Sequence, residues 1–261
     1  MLAAAGITVV AGGATLLREV SIALAPGELV ALLGENGAGK STLLKTLAGD
    51  LVPRAGSVTM NGRPLRDWRL RERARLRAVL PQSAALAFGF SALETVLLGR
   101  HPHSDGVARA HDVEIARAAL EQLDAAHLAG RLVTTLSGGE LARVQLARVL
   151  AQLWPAERST ARYLLLDAPV ASLDPAHQHL TLRVARSCAH EDGAGVLAVL
   201  HDINLAAQYA DRVVLLKQGR VLAEGPPEAV FTPQALGDCF NVEATVVAHP
   251  RIARPLVVVS A

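Results

Sequence analysis

A chain of 261 residues holds one large domain or two small ones, and at 51% hydrophobic residues it has ample material for a core. No apolar run approaches the roughly 20 residues a membrane span needs, and the start lacks the basic-then-apolar pattern of a signal peptide. A formal charge of +2 is too small to argue for nucleic acid as a partner. Cys188 and Cys239 stand in no metal or redox spacing, so two ordinary thiols in a reducing, cytosolic setting are expected.

From the N-terminus, Gly6 to Val10 and Val20 to Leu24 flank the turn-prone pair Gly12-Gly13 and predict an antiparallel hairpin. Glu28 to Leu33 is a short apolar run suited to a buried parallel strand, and Ser41 to Ala48 predicts a helix stopped by Gly49. Between them lies Gly34-Glu35-Asn36-Gly37-Ala38-Gly39-Lys40-Ser41-Thr42, a glycine, four residues, then Gly-Lys-Ser/Thr. The strand–loop–helix setting is what a phosphate-binding loop requires. Its glycines let successive backbone N–H groups turn towards phosphate oxygens, and the helix N-terminus adds positive dipole. Lys40 then reaches the β- and γ-phosphates and the Ser41 hydroxyl ligates Mg²⁺. A bound nucleoside triphosphate is the expectation.

Ser57 to Met60 with Asn61-Gly62 reads as a strand and tight turn joining the antiparallel layer. Arg63 to Arg77 carries seven arginines and reads as a solvated surface helix. A short strand, Ala78 to Leu80, ends at Pro81-Gln82. A largely helical region follows from about Ser91 to Leu153, with breaks at Arg100 to Gly106 and Thr134 to Glu140. Ser137 and Glu140 have capping-box spacing, so a helix should start there and present Leu141, Val144, Ala147, Leu150 and Leu153 on one face. Tyr163 to Asp167 is a strand ending in a carboxylate. Helix Pro175 to Ala189, strand Val196 to Leu200, helix Ile203 to Tyr209 and a hairpin turning at Gln218-Gly219 follow. This alternation predicts an α/β fold with a mostly parallel sheet. Residues 1–87 and 156–225 form its nucleotide-binding core with a β layer, 88–155 an inserted helical subdomain, and 226–261 a tail without a functional reading. His101, His103, His111, His177 and His179 are too loosely spaced for a metal or heme site.

The pentad Leu136-Ser137-Gly138-Gly139-Glu140, about thirty residues before the Asp167 strand, narrows the class. With the phosphate loop, Gln82, Ser172-Leu173-Asp174 and His201 in this order, the chain from residue 6 to about 225 resembles the ATP-binding subunit of an ABC transporter. The resemblance implies a P-loop NTPase (RecA-like) core, an antiparallel β layer and a helical subdomain. It implies Mg²⁺ held by Ser41, Gln82 and Asp167. It also implies a head-to-tail homodimer, in which Ser137, Gly138 and Gly139 offer N–H groups to the partner's ATP, Asp174 couples the sites and His201 senses the γ-phosphate.

Two departures stand out. Where the family has a water-polarising glutamate after the strand-end aspartate, this chain has Ala168, which predicts Mg·ATP binding with turnover slowed by about two orders of magnitude or more. Every other ATP-site motif is intact, which favours a replacement introduced to trap an ATP-bound state over a naturally degenerate subunit. The adenine-stacking aromatic expected near Val10 to Gly13 is also missing, with Ala11 in its place, so selectivity for ATP over GTP is only a family expectation. The segments Ala78 to Gln82 and Phe88 to His103 resemble importers of iron-siderophores, heme and vitamin B12, and Gly138 to Trp154 resembles hemin import ATPases most. Heme is the preferred cargo, with siderophore or cobalamin as alternatives. The resemblance further implies a multi-span permease contacted through Phe88 and Phe90, unless these belong to the core of the helical region. A periplasmic binding protein would act indirectly, and the chain would sit on the cytoplasmic face of the inner membrane without touching heme or nucleic acid. A DNA-repair or translation ATPase and a non-hydrolysing regulatory subunit are the competing readings.

Overall fold

The computed structural model describes residues 1–82, 89–104, 109–154 and 160–260. Alternating apolar residues make β1 (Leu2–Ala11) and β2 (Ala14–Leu24) a hairpin turning at Gly12-Gly13, paired from Leu2 opposite Leu24 to Ala11 opposite Ala14. Both strands run longer than their β-branched segments predict. The weakly strand-forming Leu2 to Ala5 are recruited by pairing with a third strand on the other side.

Five consecutive buried residues form β3 (Leu29–Leu33). Leu29, Ala31 and Leu33 enter one apolar cluster, while Val30 and Leu32 enter the other, as strand alternation demands of a strand covered on both faces. α1 (Lys40–Ala48) ends where the N–H of Gly49 satisfies the carbonyls of Lys45 and Thr46. β4 (Ala55–Met60) and β5 (Arg63–Pro64) complete an antiparallel sheet of order β2-β1-β4-β5.

The arginine-rich segment is only partly the solvated helix its charge suggests. It is helical as α2 (Leu70–Leu76), but Arg71 and Arg75 donate through Nε to the Pro102 carbonyl at 3.0 and 2.8 Å, stapling the 101–104 turn. Arg77, at the start of β6 (Arg77–Leu80), is pulled inwards. Burial first, and the charge of Arg73 second, push its guanidinium down to about 10.

α3 (Ala92–Leu97) starts from a capping box between Ser91 and Glu94. α4 (Ala110–Gln122) and α5 (Gly138–Leu153) pack against it. Between α4 and α5 the chain makes short helical turns, a longer interruption than the one predicted around Thr134. Leu123 and Ala125 are buried there, so packing rather than a breaker residue sets that turn.

β7 (Tyr163–Asp167), α6 (Pro175–His190), β8 (Gly195–Val199), α7 (Ile203–Tyr209) and the hairpin of β9 (Arg212–Lys217) and β10 (Arg220–Gly225) complete a sheet of order β10-β9-β3-β8-β7-β6. Every neighbouring pair is parallel except β9 with β10. β3, β8 and β7 therefore deliver their C-terminal ends to one edge, where open α/β sheets hold ligands.

The tail is α8 (Pro227–Val230), α9 (Pro233–Phe240) and a hairpin of β11 (Glu243–Ala248) with β12 (Pro255–Ser260). It belongs to the main core: Val230, Phe231, Leu236, Cys239 and Val257 are all buried in it. No helix among the described residues is long and apolar enough to cross a membrane.

Candidate functional site

At that edge the loop after β3 closes around its own lysine. Lys40 is 7% exposed and its Nζ donates to the carbonyls of Gly34 and Glu35 at 2.7 and 2.8 Å. Burial lowers the Lys40 pKa, against the opposing pull of Cys239 and Asp167. The loop sits hard against β9, since a Cβ at Gly34 would come within 2.1 Å of the Leu216 carbonyl oxygen. α1 has no side-chain cap, so its first N–H groups stay available to an anion.

Across the loop, the Ser41 hydroxyl donates to Asp167 Oδ1 at 3.3 Å. Asp167 is 5% exposed at the end of β7. A cavity of about 310 Å³ joins Asn36, Gly37, Gly39, Lys40, Ser41 and Thr42 with Gln82, Asp167 and His201, which the sequence had scattered over 166 positions (36 to 201, both ends counted). Leu16 and Val199 also line it. Neither carries a sequence signal, because each is an ordinary apolar strand residue. A hydroxyl and a carboxylate beside a space for phosphate oxygens are the hard donors magnesium takes, so these residues fit that ion. No cluster of three or more His, Cys, Asp or Glu that could hold a metal exists among the described residues.

A second cavity, of about 500 Å³, shares Gln82 and Asp167 with the first and adds Ala168, Pro169, Ser172, Gly138 and Gln145. Ala168 has φ +51, a left-handed conformation uncommon for alanine and of the kind that clusters at functional sites. Of the pentad, only Gly138 borders this space. Leu136, Ser137, Gly139 and Glu140 line neither cavity. Ser137 caps α5: its Oγ accepts from Glu140 N at 3.3 Å, and its own N–H donates to Glu140 Oε2 at 2.7 Å. Those bonds, with Arg131 at 2.8 Å, hold the Glu140 carboxyl below the usual range.

Asp174 stands apart as the N-cap of α6, accepting from His177 N at 3.1 Å and from His177 Nδ1 at 2.6 Å. His177 Nε2 also lies 3.7 Å from Asp124 in the turn after α4, a contact no motif announces. Phe90 is half-buried, with its carbonyl accepting from Val133 N at 2.9 Å, and Phe88 lies outside the described residues.

This is the architecture of a P-loop nucleotide-binding protein. Residues 17–171 match the ABC transporter family, and relatives cover nearly the whole chain; the protein belongs to that family. The hemin import ATP-binding protein HmuV of Gloeobacter violaceus is 57% identical over 258 residues, covering 99% of this chain and 94% of that protein. HmuV of Pseudomonas putida is 50% identical, covering 99% of each. Among solved structures, a metal-chelate type ABC transporter in an inward-facing conformation superposes with a TM-score of 0.82 at 25% identity, over 100% of this chain and 97% of that one. A dimeric ATP-binding cassette bound to ADP and Pi gives 0.77 at 26% identity, over 87% of this chain and 99% of that one.

Proposed function

We propose that this chain is the energising subunit of a heme importer, binding Mg·ATP in the cavity around Lys40 and hydrolysing it slowly. The observation that carries the cargo is the likeness, over nearly the full length, to hemin import ATP-binding proteins.

The P-loop supplies the affinity. Lys40, now satisfied by two loop carbonyls, exchanges part of that contact for phosphate oxygens, and a desolvated cation gains more from an anion than a solvated one does. Ser41, Asp167 and Gln82 would hold magnesium, which would supply positive charge to offset that of the phosphates. His201, exposed after β8, faces the same space and would contact the γ-phosphate.

Two copies would pack head to tail, each offering the N-terminus of α5 at Ser137, Gly138 and Gly139 to the other's nucleotide, with Asp174 at the seam. The pair would sit beneath a permease at the cytoplasmic face of the inner membrane, fed by a periplasmic binding protein. ATP-driven closure would be transmitted to the permease as a population shift.

Ala168 offers no proton acceptor for the attacking water, so turnover should fall by roughly 10²–10⁴-fold relative to a carboxylate at that position. The test is ATP turnover and nucleotide binding by this chain beside Ala168→Glu, each assembled with its permease. Binding by both with turnover only in the glutamate variant supports the reading. A silent glutamate variant with intact binding moves the assignment to a non-hydrolysing regulatory subunit, an alternative that Ala168 permits.

A further inference from the structure

Gln145 lies midway along α5, 4% exposed, and neither its Nε2 nor its Oε1 has a hydrogen-bond partner. Its helix neighbours Val144, Leu146 and Ala147 are buried and apolar. A leucine would fill the same volume without leaving a buried amide unpaired. The side chain borders the 500 Å³ cavity together with Gln82, Asp167 and Ala168. A space of that size holds water where Gln82, Asp167, Ser172 and Gln145 interrupt its apolar walls, and an orphaned amide is what such water satisfies. The same cavity is bounded by the position that lacks a carboxylate, and it shares two walls with the nucleotide cavity.

We propose that Gln145 is a positioning residue for ATP hydrolysis in this chain: its amide holds an ordered water beside Ala168, and that water orients the attacking one in place of a carboxylate. The proposal rests on the ATPase reading above. The attacking water's oxygen bonds to the γ-phosphorus. The bond from that phosphorus to the β,γ-bridging oxygen breaks, its electron pair leaving with ADP, and the water's proton ends on the released phosphate. Gln145 takes no proton. An amide accepts through Oε1 and donates through Nε2, enough to orient water as glutamines do in other nucleotide hydrolases.

The experiment is single-turnover hydrolysis of Mg·ATP by the full chain over hours, with nucleotide binding and thermal melting measured alongside. The variants are Gln145→Leu and Gln145→Glu, each made both in this chain and with Ala168→Glu. Gln145→Leu should lower the residual rate by about 10–100-fold. Affinity should stay within about twofold, and the melting temperature should not fall, since the amide bonds to no other group of the protein and leucine conserves the volume. In the presence of Ala168→Glu the same change should matter little, because the carboxylate then orients the water. Gln145→Glu alone should raise the rate by placing a carboxylate in the shared cavity.

An unchanged rate in Gln145→Leu, or an equal loss in both backgrounds, overturns the proposal. So does a chain that binds ATP but turns none over, with or without Gln145→Glu. Failure of the starting chain to bind Mg·ATP removes the ATPase reading as well, and the binding measurement alone reveals that case.

Discussion

At Gly34 the backbone of one strand's end meets the carbonyl of another, and a methyl group cannot be fitted between them. Gly34→Ala would set a Cβ 2.1 Å from the Leu216 oxygen, an atom fixed in the β9 ladder, so the phosphate loop must move instead. We expect a loss of about 1–3 kcal/mol in stability together with a large loss of Mg·ATP affinity, read by denaturant melts and titration calorimetry. An affinity within about twofold of the starting chain would show that the loop tolerates the shift. Ala168, held at φ +51, differs in kind, since what it lacks is a carboxylate rather than room. The glycine pattern of the loop was legible because it answers to local backbone rules. Gln145 was not, because a single glutamine in a helix becomes informative only when every neighbour is seen to leave it unpaired.

Among elements, the helical subdomain is tied together by a buried ion pair. Arg100, just after α3, donates through Nε to Asp112 of α4 at 2.9 Å and through a terminal nitrogen to the Ala151 carbonyl of α5 at 2.8 Å. Both side chains are under 10% exposed. Burial raises the Asp112 pKa, but the bonds from Arg100 and Arg109 and the Arg100 charge outweigh it and leave the carboxyl below its ordinary range. Asp112→Asn leaves Arg100 buried without a counter-charge and should cost about 3–5 kcal/mol. The native pair contributes stability that is fully present above the unfolded aspartate value of about 4 and is lost as pH falls through the lower folded value. Thermal melts between about pH 2 and 6 should therefore decline less steeply for Asp112→Asn than for the native chain; parallel curves would assign the acid sensitivity elsewhere.

The helices themselves were largely predictable, since α5 begins at the Ser137–Glu140 capping box and buries Val144, Ala147, Leu150 and Leu153 as its periodicity requires. The Ser91–Glu94 box had the same spacing and could have marked α3. The arginines of 63–77 misled in part because charge alone cannot tell a solvated guanidinium from one that caps a neighbouring carbonyl.

In the molecule as a whole, the tail's terminal hairpin is pinned to α7 by the side chain of Asn204. Asn204 of α7 donates to Val257 O at 3.0 Å and accepts from Val257 N at 2.8 Å, a two-way bond that docks β12 onto the sheet's helical face. Asn204→Ala should cost about 1–3 kcal/mol and speed hydrogen exchange at Val257; unaltered exchange there would mean that packing alone seats the hairpin. Burial lifts the Cys239 thiol to about 11 and the Cys188 thiol to about 12. Both should resist alkylation in the folded chain at pH 8 and react on unfolding, and prompt labelling of either would contradict the burial.

The phosphate loop, the Asp167 strand, the signature helix and the α/β class were readable from the residues alone, because each rests on short-range periodicity or on a motif whose backbone geometry is local, and the order of the motifs carried the resemblance to the family. Long-range packing was needed to set β3, β8 and β7 side by side and bring Lys40, Asp167 and His201 to one cavity. The same packing puts Gln145 and Ala168 in the lining of a second cavity and joins the tail to the main core. Those are contacts between residues far apart in the chain, set by which apolar faces bury against one another, and no local pattern encodes them.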